Sequence, residues 1–205
     1  MVTTGFRNIY VAKYSNEDTT VSYTGFQKLA RARGFSLDVG TSDDNQYFAD
    51  DSLAETESGA SFSSGTLELT VDGLTGEEEA LLFGIETSSS TVQVDEKPVT
   101  EVRFGDKLNP PYMGVAGIKR YQLNGVVTYR PIVLPKVQFT LGTDEAETGE
   151  DTINWQDQTL NANIMRDDTA EHNWKRMPKD NFATLAEAIA YIEAILNPAA
   201  LKRRL

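Results

Sequence analysis

His172, the single histidine, stands among Asp167, Asp168 and Glu171, side chains of the types that move a proton or hold a metal. It falls short of both tasks. A metal site wants a second imidazole or a tight carboxylate set. A Ser-His-Asp relay wants a nucleophile on a sharp turn, and no Gly-x-Ser-x-Gly occurs. His172 therefore reads as a solvated turn histidine. Paired carboxylates are plentiful, and glycoside hydrolysis needs two. These acids, however, cluster in two stretches without a base: Thr41 to Ala60, with Asp43, Asp44, Asp50, Asp51, Glu55 and Glu57, and Gly142 to Asp157, with Asp144, Glu145, Glu147, Glu150, Asp151 and Asp157. Tyr47, Phe48 and Trp155 are their sole aromatic neighbours. A calcium ion at Asp43–Asp44 or Asp50–Asp51 would want several oxygens, and the alternating Asp-x-Asp spacing of a calcium loop is absent. Gly114 and Gly117 lack the companion glycine and the following helix of a phosphate cradle. Lys28, Arg31 and Arg33 form a small basic cluster, either a strand edge blunted against aggregation or a socket for an acidic loop of another copy. The expectation is a protein that is not an enzyme and has no cofactor.

The balance of charges points the same way. With 31 acidic and 19 basic residues among 205, the formal net charge is -12. Such a chain repels DNA and anionic membranes. With no cysteine, disulfides and thiolate metal sites are excluded. Met1 to Arg7 lacks a basic region followed by an apolar core, so no signal peptide is expected. No apolar run approaches the roughly 20 residues that span a bilayer.

The elements that must position these residues are mostly strands. Arg7 to Tyr14 is rich in β-formers, Asn16-Glu17-Asp18 reads as a turn, and Val21 to Phe26 and Phe35 to Val39 follow as strands. After the acidic loop 41–60, Gly65 to Val71 alternates, with Leu67, Leu69 and Val71 on one face and Thr66, Glu68 and Thr70 on the other. Thr75-Gly76-Glu77-Glu78 is a capping box opening a short helix that Gly84 ends. Val99 to Phe104 alternates, with Val102 and Phe104 on the apolar side. Asn124-Gly125 joins the strands Tyr112–Leu123 and Val126–Leu134 through a type I′ turn. That turn sets Leu123 opposite Val126, Tyr121 opposite Thr128 and Arg120 opposite Tyr129. Neither face of this hairpin is cleanly apolar, which suggests partial cover by a neighbouring subunit. Pro131 and Pro135 argue for edge or bulge positions. Val137, Phe139 and Leu141 resume alternation, and Leu160 to Ile164 forms a last strand. A second capping box at Thr184 opens a helix over 184–196 with Leu185, Ala188, Ile189, Ile192, Ile195 and Leu196 at helical spacing, closed by Asn197-Pro198. The fold class is mainly β, a β-sandwich or barrel with one short internal helix and one C-terminal helix. Residues 1–198 are expected as one domain and 199–205 as a basic tail.

These residues resemble the siphophage major tail protein family, the tail-tube proteins of long-tailed bacteriophages. The likeness runs through Gly5-Phe6-Arg7-Asn8-Ile9-Tyr10-Val11-Ala12-Lys13-Tyr14, Tyr47-Phe48-Ala49-Asp50-Asp51, the strand from Ser64 to Asp72, the Glu77 to Phe83 helix, Ile118 to Val126, Leu134 to Phe139 and the Phe182 to Leu196 segment. The basic tail and the stretch from Val92 to Pro111 depart from it. The resemblance implies a β-sandwich subunit of hexameric rings. These stack into a hollow tube lined by a continuous β-barrel, through which DNA passes as non-adhesive cargo. It implies a virion location after assembly in the host cytoplasm, with tape-measure and tail terminator or adaptor proteins as further partners and no membrane. On this reading Tyr47, Phe48, Asp50, Asp51 and Leu53 reach the next ring, and Thr66, Glu68 and Thr70 line the channel. Arg120, Tyr121, Asn124, Gly125 and Tyr129 meet a neighbouring subunit. The alternatives are a ring protein of a secretion or puncturing device, a monomeric carbohydrate-binding β-sandwich and, last, an acidic-site hydrolase. The carbohydrate module would want a row of exposed aromatics, which Trp155 and Trp174 do not form.

Overall fold

The computed structural model describes residues 2–42, 45–49, 52–57, 61–85, 87–105, 108–141 and 157–198. The fold is mainly β, in keeping with a β-sandwich or barrel carrying few helices. Eleven strands and two helices follow one another as β1 (Val2–Glu17), β2 (Thr20–Lys28), β3 (Ala32–Thr41), β4 (Asn45–Ala49), β5 (Ser52–Glu57), β6 (Phe62–Val71), α1 (Gly76–Phe83), β7 (Thr87–Val94), β8 (Lys97–Val102), β9 (Tyr112–Leu123), β10 (Val126–Thr140), β11 (Gln158–Met165) and α2 (Leu185–Leu196). Seven strands make one antiparallel sheet in the order β2-β1-β9-β10-β11-β6-β3, while β4–β5 and β7–β8 are separate two-stranded sheets. The large sheet curls, because Phe6 on β1 meets Phe35 on β3 at 4.9 Å although four strands lie between them in the hydrogen-bonded order.

The curl encloses the main core. Ile9 and Val11, Leu67 to Val71 by alternation, Met113 and Val115, Val137 and Phe139, and Leu160 to Ile164 by alternation point into it, with Leu82 and Phe83 of α1. A second, smaller core lies on the opposite face, where Ala188, Ile192 and Leu196 of α2 cover Ala12, Ala116, Ile118 and Val133. Two glycines make these contacts close. A Cβ on Gly114 would lie 2.6 Å from the Tyr23 ring and 2.7 Å from Leu196, and one on Gly117 would lie 2.3 Å from Phe6. Their role is close approach, not phosphate binding.

Local signals hold where chemistry is local. Thr75 and Thr184 each accept from the N–H three residues on, and Glu78 and Glu187 each accept in return from the cap residue's own N–H. Gly84 ends α1 in the left-handed region at φ 64. Asn124 (φ 49) and Gly125 (φ 82) make the expected turn, and the expected pairs Leu123–Val126, Tyr121–Thr128 and Arg120–Tyr129 form. Pro135 falls in the register shift between Leu134 and Val137. That bulge joins two expected strands into one long β10. Pro131 lies between Tyr129 and Val133, whose N–H groups bond outward to Phe182 and Arg176. The missing donor therefore falls on that sparse ladder and not on the one to β9.

Four expectations need correction. Much of the stretch 41–60 is not an irregular loop: β3 runs through Thr41, and Asn45–Ala49 pair antiparallel with Ser52–Glu57 as β4 and β5. The backbone there satisfies its polar groups by pairing, whatever the charge of its side chains. Asn16 and Glu17 belong to the β1–β2 ladder, so the turn is tighter than expected. Phe104 lies beyond β8 and is 55% exposed. Leu141 likewise lies past the end of β10 and is exposed.

Candidate functional site

The face of the large sheet opposite the main core divides into two halves. Over β1, β9 and the first part of β10 it is covered by α2. Over β11, β6 and β3 it carries no helix among the described residues. Cross-strand pairing there builds two polar rows: Asp38–Thr66–Asn163–Gln138 and Ser36–Glu68–Asn161–Thr140. Thr66, Glu68, Asp38, Ser36, Asn161, Asn163 and Thr140 are exposed. The rows hold two carboxylates and no cation. The expected channel residues Thr66 and Glu68 thus stand on an open face, and half-buried Thr70 closes its end, its Oγ1 pressed against Gly34, where a Cβ would come within 2.9 Å. Ser36, Asp38, Asn161 and Asn163 escape sequence reading. The strands are visible, but the register that lines them up spans distant parts of the chain.

The hairpin candidates fall at the other end of the sheet. Leu123 and Val126 at the β9–β10 tip are 49% and 64% exposed, and Val2, which pairs with Gln122, is 69% exposed. Arg120 reaches Thr4 at 3.4 Å. Tyr121 and Tyr129 are half-buried, and Tyr129 packs in the α2 core. The mixed faces at the hairpin base are explained within the chain: Met113–Ile118 and Pro131–Pro135 are buried, with the main core on one side and α2 on the other. A neighbouring subunit is not needed there, and the tip is what stays open.

Tyr47, Phe48 and Leu53 lie on the β4–β5 hairpin, where Phe48 pairs with Leu53 and Tyr47 with Glu55. Asp50 and Asp51 lie outside the described residues, as do 142–156 and 199–205. In the basic cluster at the β2–β3 corner two of the three cations have carboxylate partners. Arg31 sits 3.7 Å from Asp72, whose Oδ1 also accepts the Arg31 N–H, and Arg33 sits 3.1 Å from Asp157.

His172 is an exposed turn residue at φ 52, its Nδ1 3.3 Å from the Asp167 carbonyl. Buried Asp167 accepts from Thr169 (2.6 Å) and from the Asn173 N–H (2.8 Å), which ties this turn together. Asp168 accepts from Lys136 and Tyr14 at 2.8 and 2.7 Å. These bonds, Lys136 first, hold its carboxyl below the usual range. Burial, then the bond to Asp168, pushes the Tyr14 phenol up. The carboxylates of the cluster are engaged in holding the fold, Asp167 by Thr169 and Asn173 and Asp168 by Lys136 and Tyr14. Among the described residues no group of three or more acids and histidines could hold a metal ion, and no helix is long and apolar enough to cross a membrane. No protein-family model matches the chain, and no curated protein matches it.

Proposed function

We propose that this chain is a structural subunit of a bacteriophage tail tube, packed as hexameric rings that stack around a DNA channel. The bare polar half-face carries the reading. A sheet whose other half is roofed by its own helix leaves two rows of Ser, Thr, Asn, Asp and Glu uncovered, with no cation among them. Such a face attracts no phosphate, so a duplex slides past it. The exposed apolar tip at Val2, Leu123 and Val126 supplies a surface for a neighbouring copy. The likeness to major tail proteins supports the same architecture. It brings with it the tape-measure and terminator or adaptor partners, a virion location and the absence of catalysis.

Light scattering and negative-stain microscopy of the concentrated protein test it. Six-fold rings and tubes are expected; a monomer at every concentration, with no rings, overturns it. Glu68→Lys then tests the channel face. It should leave stability nearly unchanged and slow DNA ejection in a salt-sensitive manner. Wild-type ejection at low and high salt would remove Glu68 from the channel.

A further inference from the structure

Arg31 and Arg33 are matched by Asp72 and Asp157, but another set of cations is not matched. Arg130 on β10 and Lys119 on β9 are cross-strand partners. Lys175 belongs to the segment that bonds to the outer side of β10 through Arg176 and Phe182. None of the three has a carboxylate in ion-pair range among the described residues. All three are half-buried. Lys119 Nζ lies 5.3 Å from the Phe35 ring centre, and Lys175 Nζ 4.8 Å from that of Trp174. Arg130 donates through one nitrogen to the carbonyls of Pro178 (3.1 Å) and Lys179 (3.2 Å), while its Nε is buried and has no hydrogen-bond partner among the described residues. Burial, then the Lys119 and Arg130 charges, holds the Lys175 ammonium below the usual lysine range. The Asp167 turn and the Phe62–Trp174 stack at 5.1 Å fix where Lys175 stands.

Like charges held half out of water with an orphaned donor are costly until an anion completes them. In a chain of net charge -12, such a group is a specific mark of complementarity. We propose that Lys119, Arg130 and Lys175 form a socket for the acidic β4–β5 hairpin of a second copy of this chain. β5 of the hairpin carries Glu55 and Glu57, the sequence from 41 to 60 holds no Lys or Arg, and among the described residues β4 and β5 join no other sheet. Socket and hairpin are different surfaces of one chain, so a one-way contact propagates from copy to copy, while a reciprocal one closes as a dimer. The inference rests on the ring-and-tube reading and deepens it by naming an electrostatic seam.

Two measurements on the full chain test it. In the first, equal parts of 14N- and 15N-labelled protein are cross-linked with a zero-length carbodiimide. Mixed-isotope links from Lys119 or Lys175 to the acids of 43–57 support the seam; single-isotope links alone, or none at these lysines, overturn it. In the second, assembly concentration is followed by sedimentation. Lys119→Glu with Lys175→Glu should raise it about tenfold or more, as should Glu55→Lys with Glu57→Lys, and combining all four should recover most of the loss. Melting curves confirm that each variant folds. Variants that assemble at the wild-type concentration, or a combination no better than the worse pair, overturn the seam. Tubes without mixed links leave the tube reading standing and sink the seam. Mixed links in a protein that stops at dimers do the reverse. Links suppressed by millimolar inorganic phosphate while tubes persist assign the site to a free anion and reject the hairpin as its occupant.

Discussion

The two halves of the sheet face opposite the main core share one pleat and one set of ladders, yet one is roofed and the other open. The difference lies in the outward residues. Under α2 they are Ala12, Ala116, Ile118 and Val133, small or apolar. Beyond α2 they are Ser36, Asp38, Thr66, Glu68, Asn161 and Asn163. Strands buried on both faces read as continuous apolar runs, and half-buried strands alternate. β9 and β10 are of the first kind and β6 and β11 of the second. Among the described residues the open half is therefore open by composition, its outward side chains being polar where those under α2 are apolar.

The largest test of that contrast is Ile192→Ala. Ile192 is fully buried between α2 and the sheet, so truncation should cost about 2–5 kcal/mol in urea unfolding. Thr66→Ala on the open half should stay within about 0.5 kcal/mol. Equal losses would break the comparison. A smaller effect is expected from Gly114→Ala, whose Cβ meets Tyr23 and Leu196 inside normal contact distance. It should cost about 1–3 kcal/mol. Gly40→Ala, which meets the Ser63 and Ser64 hydroxyls at 3.3 Å, should cost less than half as much. The smallest effect comes at the bulge where the halves meet, and it depends on pH. Asp168 is held below the usual carboxylate range first by Lys136. Its contribution is complete above the ordinary carboxylate pKa of about 4 and disappears as pH falls through the lowered folded value. Lys136→Met should therefore lose less stability than wild type on acidification, by under about 1 kcal/mol because the pair is partly exposed. Identical acid limbs in the two unfolding series would deny Lys136 that role.

Both capping boxes, the Asn124–Gly125 turn with its register and the bulge at Pro135 were legible in the sequence. Each is decided by residues within a few positions of one another. The alternation of Leu67, Leu69 and Val71 likewise placed Thr66 and Glu68 on the opposite face. What escaped depends on distant partners. Nothing near Asn161 and Asn163 says that they will line up with Glu68 and Thr66. Nothing near Met113–Ile118 says that its second cover is α2 and not another molecule. The cations at Lys119, Arg130 and Lys175 are scattered in sequence and meet because residues 174–182 return along β10. Lys28, Arg31 and Arg33, adjacent in sequence, drew attention first, and two of them proved to be matched. Residues 41–60 misled because acidic composition says where a backbone is and not what shape it takes.

The switch of neighbours along β10 bears on the timing of folding. Before Pro135 the strand is flanked on its outer side by residues 176–182, and after it by β11. A nascent chain that has released β10 but not α2 shows Ala116, Ile118 and Val133 to solvent beside an unfinished ladder. Exposed apolar surface and unpaired strand edges are what chaperones bind and what aggregates. The subunit thus has a vulnerable interval during its own synthesis, which closes when α2 leaves the ribosome and docks.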